Sequence, residues 1–109
     1  MRKHSLTENT IKEIVERIVS LIKPEKIILF GSYAYGKVDT NSDIDLLVIK
    51  QGLKSKIDTY LKIRTGLKGI RFPFDIIVVS PEEYEFYSLK WKNSVFAEAR
   101  KKGLVIYGE

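Results

Sequence analysis

Three short apolar runs set the frame of this chain: Lys-Ile-Ile-Leu-Phe at 26–30, Ile-Asp-Leu-Leu-Val-Ile at 44–49 and Phe-Asp-Ile-Ile-Val-Val at 74–79. Their length and their β-branched content read as buried strands rather than helices. Gly31 closes the first run, and Ser80-Pro81 closes the third. The segments between them carry helical signals. Over residues 6–22, Ile11, Ile14, Val15, Ile18, Leu21 and Ile22 follow i, i+3, i+4, i+7 spacing, which predicts an amphipathic helix. Ser5 with Glu8 has the form of a capping box, and Pro24 stops the helix. Residues 55–68 predict a second helix, with Ile57, Tyr60, Leu61 and Leu67 on its apolar face and Gly69 near its end.

Ser80 suits an N-cap, with Pro81 at the first helical position and Glu82-Glu83 in the first turn. The helical pattern then runs on through Asn93 to Lys102, and Gly103 is the cap beyond it. Leu104 to Tyr107 is a short final strand. Strands alternating with helices predict an α/β or α+β sandwich. The pattern leaves the order of strands in the sheet open.

The residues the chain lacks narrow its chemistry. There is no cysteine, and the only histidine is His4. Disulfide scaffolds, thiolate zinc sites, cysteine nucleophiles and Ser-His-Asp catalysis are therefore set aside. Catalysis would have to use carboxylates, hydroxyls, Lys or Arg, or a metal held by oxygen. At 109 residues one domain is expected. No apolar run approaches the roughly 18 residues of a membrane span, and no apolar signal region follows the basic N-terminus, so a cytoplasmic protein is expected. Net charge is +5, and the excess lies in residues 51–109, a modest fit to an anionic ligand or partner. Abundant Lys and Ile hint at a heat-adapted prokaryote.

Two of the apolar runs contain acids that a buried strand should not favour. Asp43 and Asp45 flank Ile44, and i and i+2 share a strand face. The two carboxylates should lie side by side and repel unless a cation stands between them. Two carboxylates on one face suit Mg²⁺, a hard ion that prefers carboxylate, water and phosphate oxygens. Asp75 opens the third run in the same way. If that strand neighbours the second, three acids on adjacent strand ends make a two-metal site. Taken singly, Asp43 is as well explained as a loop residue, Asp45 as half of an ion pair and Asp75 as a strand-edge acid.

Gly31-Ser32 follows a strand and opens a short helix that Gly36 closes. Such a turn presents backbone N–H groups to an anion, although a Gly-Ser pair after a strand is usually only a turn. Neither G-x-x-x-x-G-K-[ST] nor G-x-G-x-x-G is present. The combination is far rarer than its parts: a Gly-Ser turn, then an acid pair eleven and thirteen residues after Ser32, then Asp75.

Together, Gly31-Ser32-Tyr33-Ala34-Tyr35-Gly36, six intervening residues and Asp43-Ile44-Asp45-Leu46-Leu47-Val48 resemble the signature of the polymerase-beta-like nucleotidyltransferase superfamily. The short length resembles its minimal nucleotidyltransferase (MNT) branch. The resemblance implies one nucleotidyltransferase domain over residues 1–109, built as a small mixed β-sheet backed by helices. It implies transfer of a nucleoside monophosphate, AMP from ATP, with release of pyrophosphate. Gly31, Ser32, Lys37 and Ser42 would be nucleotide-binding. Asp43, Asp45 and Asp75 would be catalytic and would bind two Mg²⁺ ions, Asp75 also helping to deprotonate the acceptor hydroxyl. Many members carry Arg just before the second glycine; here Tyr35 stands there, and Lys37 offers a charge two residues on.

MNT proteins resemble antitoxins of pairs whose toxin is a HEPN-domain RNase, and several adenylylate a tyrosine of that toxin. The resemblance thus implies a HEPN-domain partner, with Tyr84, Phe86, Tyr87, Trp91 and the basic 90–102 region as candidate contacts. A contact-only binding module and a small-molecule nucleotidyltransferase are the alternatives. The chain leaves no room for a second, acceptor-binding domain, which disfavours the latter. The lack of a recognition-helix or zinc signature argues against direct nucleic-acid binding.

Overall fold

A computed structural model describes residues 6–39 and 41–109. The elements, in chain order, are α1 (Glu8–Ile22), β1 (Lys26–Phe30), α2 (Ser32–Tyr35), β2 (Ile44–Ile49), α3 (Lys56–Gly66), β3 (Phe74–Val79), α4 (Pro81–Lys90), α5 (Val95–Lys102) and β4 (Leu104–Tyr107). The three apolar runs and the closing strand are all strands, with the boundaries their residues indicate. They form one mixed sheet in the order β3-β2-β1-β4. β1 is antiparallel to both β2 and β4, while β2 and β3 are parallel and joined through α3.

Helices cover both faces of the sheet, which is why the strands are apolar nearly throughout. On one face, Ile14, Ile18 and Ile22 of α1 and Ile63 of α3 pack against Ile27, Leu29, Ile44, Leu46, Val48, Ile76 and Val78. On the other, Tyr84 of α4 and Ala99 of α5 pack against Ile28, Phe30, Leu47, Ile49 and Val79. Strand alternation sorts the residues between the two clusters.

The helix ends differ from the sequence reading where a nearer hydroxyl competes for the cap. α1 is capped by Thr7, whose hydroxyl accepts from the Thr10 N–H at 3.1 Å; the expected cap, Ser5, lies outside the described residues. Lys23 ends α1 in the left-handed region, its N–H donating to the Val19 carbonyl at 3.0 Å, and Pro24 follows. The expected helix from Ser80 to Lys102 is two helices. Ser94 interrupts it: its hydroxyl donates to the Trp91 carbonyl at 2.7 Å and accepts from the Ala97 N–H at 3.1 Å, starting α5 afresh.

The apolar face assigned to α3 is also corrected. Ile57 is 70% exposed and Leu61 53%, whereas Ile63 is fully buried and Leu67 nearly so. Ile57–Leu61 and Ile63–Leu67 are two i, i+4 pairs on different sides of the helix, and only one can meet the sheet.

α4 starts with a complete capping box. The Ser80 hydroxyl accepts from the Glu83 N–H at 3.1 Å, and the Glu83 carboxylate accepts from the Ser80 N–H at 3.0 Å. Ser80→Ala is expected to lower unfolding free energy by about 1 kcal/mol, and Ser80→Asp by much less. Urea denaturation of the three proteins checks this; equal losses for both variants would show that the cap is not the cause.

Candidate active site

The acids meet at one end of the sheet. β2 and β3 run in parallel register with Asp45 opposite Asp75, so the two side chains leave the same face. Alternation puts Asp45 on the face of Leu47 and Ile49, the side covered by α4 and α5. Asp43 has the same parity, one step before the strand begins. Asp43 and Asp75 are exposed, and Asp45 is half-buried. Burial first, then the charges of Asp75, Asp43 and Glu98, raise the Asp45 carboxyl from its ordinary 3.8 to about 6. The condition set by the sequence, that β3 neighbour β2, is met.

The glycine turn adjoins this cluster directly. Phe30, the last residue of β1, pairs with Asp45, so Gly31 follows beside the carboxylate. Gly31 has φ 75° and ψ −157°, a region that essentially only glycine occupies. A Cβ there would collide with the Asp45 carboxylate. The glycine therefore serves two needs at once, the sharp exit from β1 and the space Asp45 fills. α2 follows, with the Gly31 carbonyl accepting from the Ala34 and Tyr35 N–H groups at 3.0 Å each. N–H groups in the first turn of a helix have no partner within it, and here they lie next to the acids.

α2 caps the end of the sheet with one tyrosine on each face. Tyr33 packs in the α1/α3 cluster, its ring edge-on to Phe72 at 5.9 Å. Tyr35 packs against the α4/α5 cluster. Its hydroxyl is buried without a hydrogen-bond partner of good geometry. Burial raises its pKa, opposed by the Gly31 backbone and reinforced by the Glu98 and Asp45 carboxylates.

Lys37 and Ser42 lie in the loop between α2 and β2. Lys37 is exposed, and its N–H donates to the Ser32 carbonyl at 3.1 Å. The Ser42 hydroxyl accepts from the Asp39 N–H at 2.9 Å, and its own N–H donates to the Asp39 carbonyl at 3.2 Å. Those bonds shape the approach to Asp43. Glu98 and Lys102 of α5 also border the site, 53 and 57 residues past Asp45 in the chain. Nothing in the local sequence marks them, because only the packing of α5 on β1 brings them there.

The three carboxylates form a hard-oxygen donor set that fits Mg²⁺ in chemistry, and the turn's N–H groups suit an anion. Among the described residues, no three acidic side chains are gathered closely enough to hold a metal ion. A cavity of about 450 Å³ lined by Leu21, Leu61, Lys62 and Gly66 lies on the other side of the sheet and takes no part in this site.

The sequence matches the family described as Polymerase beta, Nucleotidyltransferase over residues 9–108. The chain is a member of that nucleotidyltransferase family. No curated protein sequence matches it significantly. Among solved structures, it is similar to a candidate nucleotidyltransferase from Sulfolobus solfataricus, at 27% identity and TM-score 0.61, covering 90% of this chain and 77% of the other. It also shares its fold with a chain of a toxin–antitoxin complex with AMP-PNP, at 20% identity and TM-score 0.67, covering 91% and 73%. A mutant of the toxin–antitoxin pair MntA-HpeT gives 19% identity and TM-score 0.65 over the same shares. The nucleotidyltransferase fold, with its mixed four-stranded sheet, agrees with the architecture expected from the sequence. No helix among the described residues is long and apolar enough to cross a membrane.

Proposed function

We propose that this nucleotidyltransferase moves AMP from ATP to a hydroxyl of a partner protein, a tyrosine of a HEPN-domain toxin, as the antitoxin of that pair. The observation that carries the chemistry is the parallel register of Asp45 and Asp75 beside the Gly31 turn. The toxin–antitoxin neighbours, one of them with AMP-PNP, support the partner and the nucleotide.

In this reading the acceptor oxygen attacks the α-phosphorus, the bond to the β-phosphate oxygen breaks, and pyrophosphate leaves. Gly31 and Ser32 hold the terminal phosphates through backbone N–H groups and the Ser32 hydroxyl. Lys37 and Ser42 lie along the approach to the nucleotide. Asp43, Asp45 and Asp75 would hold two Mg²⁺ ions, whose charge would neutralise the phosphates. Asp75, exposed at the β3 mouth, would receive the acceptor's proton. Such a reaction needs positioning and charge neutralisation more than any other catalytic device.

The test is co-expression with the product of the adjacent open reading frame and intact-mass analysis of both chains after incubation with Mg²⁺ and ATP. One or more AMP adducts on the partner are expected with the wild type and none with Asp43→Asn. An unmodified partner, still silenced by Asp43→Asn, would replace the transferase reading with neutralisation by contact alone.

A further inference from the structure

Close in sequence to the Gly31–Ser32 turn there is one cation, Lys37, exposed in the loop after α2. α2 reads Ser32-Tyr33-Ala34-Tyr35 and contains no cation. Around it stand Asp43, Asp45, Asp75 and Glu98, all of which repel a triphosphate. Divalent ions offset part of this, but terminal phosphates are commonly gripped by a side-chain cation as well.

α5 supplies one through space. The Lys102 ammonium stands over the Tyr35 ring, 5.9 Å from its centre, a position that the ring's negative face favours. Tyr35 and Ser32 are three residues apart, neighbours on one helical turn. The end of α5 is fixed where it must be. A Cβ on Gly103 would collide with the Ala99 carbonyl and with Ile28 of β1, so the absence of a side chain lets the helix end lie against the strand. Glu98, one turn before Lys102, bears electrostatically on both Tyr35 and Asp45, which places this side of α5 toward the site.

Lys102 is also uncommitted. The ion pairs among the described residues are Arg17–Glu13, Lys56–Glu83 and Arg100–Glu85. Arg100, two residues earlier on the same helix, is further occupied by the Ser88 hydroxyl at 3.0 Å. An exposed lysine in the last turn of a helix is ordinary, since it complements the helix dipole. A lysine held on an aromatic ring at the edge of an anion site is not explained by that alone.

We propose that Lys102 is a substrate-binding residue: carried on the Tyr35 ring, its ammonium binds the terminal phosphates of the nucleotide seated at the Gly31–Ser32 turn. This rests on the nucleotidyltransferase reading above. Lys102 therefore discriminates a triphosphate from a monophosphate, and Tyr35 is the residue that positions it.

The experiment compares ATP and AMP affinity in Mg²⁺ by competition against a fluorescent ATP analogue, with melting curves to confirm folding. Lys102→Ala is expected to weaken ATP binding about tenfold, the effect of losing one charged hydrogen bond, and to leave AMP binding within about twofold. Lys102→Arg should restore most of the ATP affinity, and Lys101→Ala should change neither ligand. Tyr35→Leu should weaken ATP binding as Lys102→Ala does, with no further loss in the double variant, while Tyr35→Phe keeps wild-type affinity. An unchanged ATP affinity in folded Lys102→Ala, or equal losses for ATP and AMP, overturns the assignment and leaves the transferase reading standing. A wild type that binds no ATP in Mg²⁺ overturns both.

Discussion

Asp45→Asn is expected to abolish nucleotidyl transfer while making the metal-free protein more stable at pH 8. The two effects have one cause. Burial and the neighbouring charges of Asp75, Asp43 and Glu98 hold the Asp45 carboxyl at about 6 instead of 3.8. A carboxyl whose pKa is raised by folding binds its proton more tightly in the native state than in the unfolded chain. Ionising it therefore opposes the fold. The opposition is fully present above about pH 6 and fades as pH falls toward about 4, where both states hold the proton. The asparagine keeps the shape and lacks the charge. After allowance for solvent screening, a gain of about 1–2 kcal/mol at pH 8 is expected, shrinking to nothing near pH 4. Denaturant unfolding of both proteins at several pH values measures it. Mg²⁺ should raise the melting temperature of the wild type and leave the variant unmoved, because only the charged site binds the ion. Activity should fall by at least ~10³-fold, since transfer depends on fixed charge at the reacting phosphate. A variant that is less stable than wild type at pH 8, by the same margin as at pH 5, would show that Asp45 is a structural acid and not a strained functional one.

That conflict was already visible in the linear chain. Asp45 and Asp75 each sit inside an apolar run, where local rules would place Val or Ile. The strands were legible for a related reason: buried on both faces, they are short, dense and bounded by Gly31, Lys50 and Ser80. The face shared by Asp43 and Asp45 followed from alternation alone. The meeting of Asp45 with Asp75 did not, because it depends on β3 lying beside β2, and sheet order is decided by how α3 packs during the crossover. α3 itself was misread, since two apolar i, i+4 pairs compete and the sequence does not say which one the sheet selects. The break at Ser94 was hidden because strong helix formers resume soon after it, at Ala97-Glu98-Ala99-Arg100. Glu98 carries no mark in the sequence, and Lys102 reads only as part of a basic helix end and candidate partner contact. Their place beside the site exists only because Ala99 and Gly103 let α5 close onto β1. Asp45 and Asp75 are marked by their local misfit, whereas Glu98 and Lys102 are brought beside them by tertiary packing and carry no local mark.

Gly31→Ala is expected to damage both stability and activity. The backbone at Gly31 lies in a region where any side chain is strained by about 1–3 kcal/mol. The added methyl would also occupy the space of the Asp45 carboxylate, so either the turn or the acid must move. Together these should lower unfolding free energy by about 2–4 kcal/mol and, through displacement of the acid from its companions, transfer by about 10²-fold. Gly36→Ala separates the two contributions. Gly36 also has positive φ, 82°, but a Cβ there meets nothing within 4 Å, so only backbone strain of about 1–2 kcal/mol applies. The collision is then isolated by a double-mutant cycle with Asp45→Ala, which removes the carboxylate while leaving the strain. If the glycine exists to seat the acid, Gly31→Ala should cost clearly less in the Asp45→Ala background than in the wild type, and Gly36→Ala should cost the same in both. Strict additivity at Gly31 would mean that the carboxylate does not rest against the turn. The joint between the phosphate turn and the acid cluster, on which a shared active site depends, would then be lost.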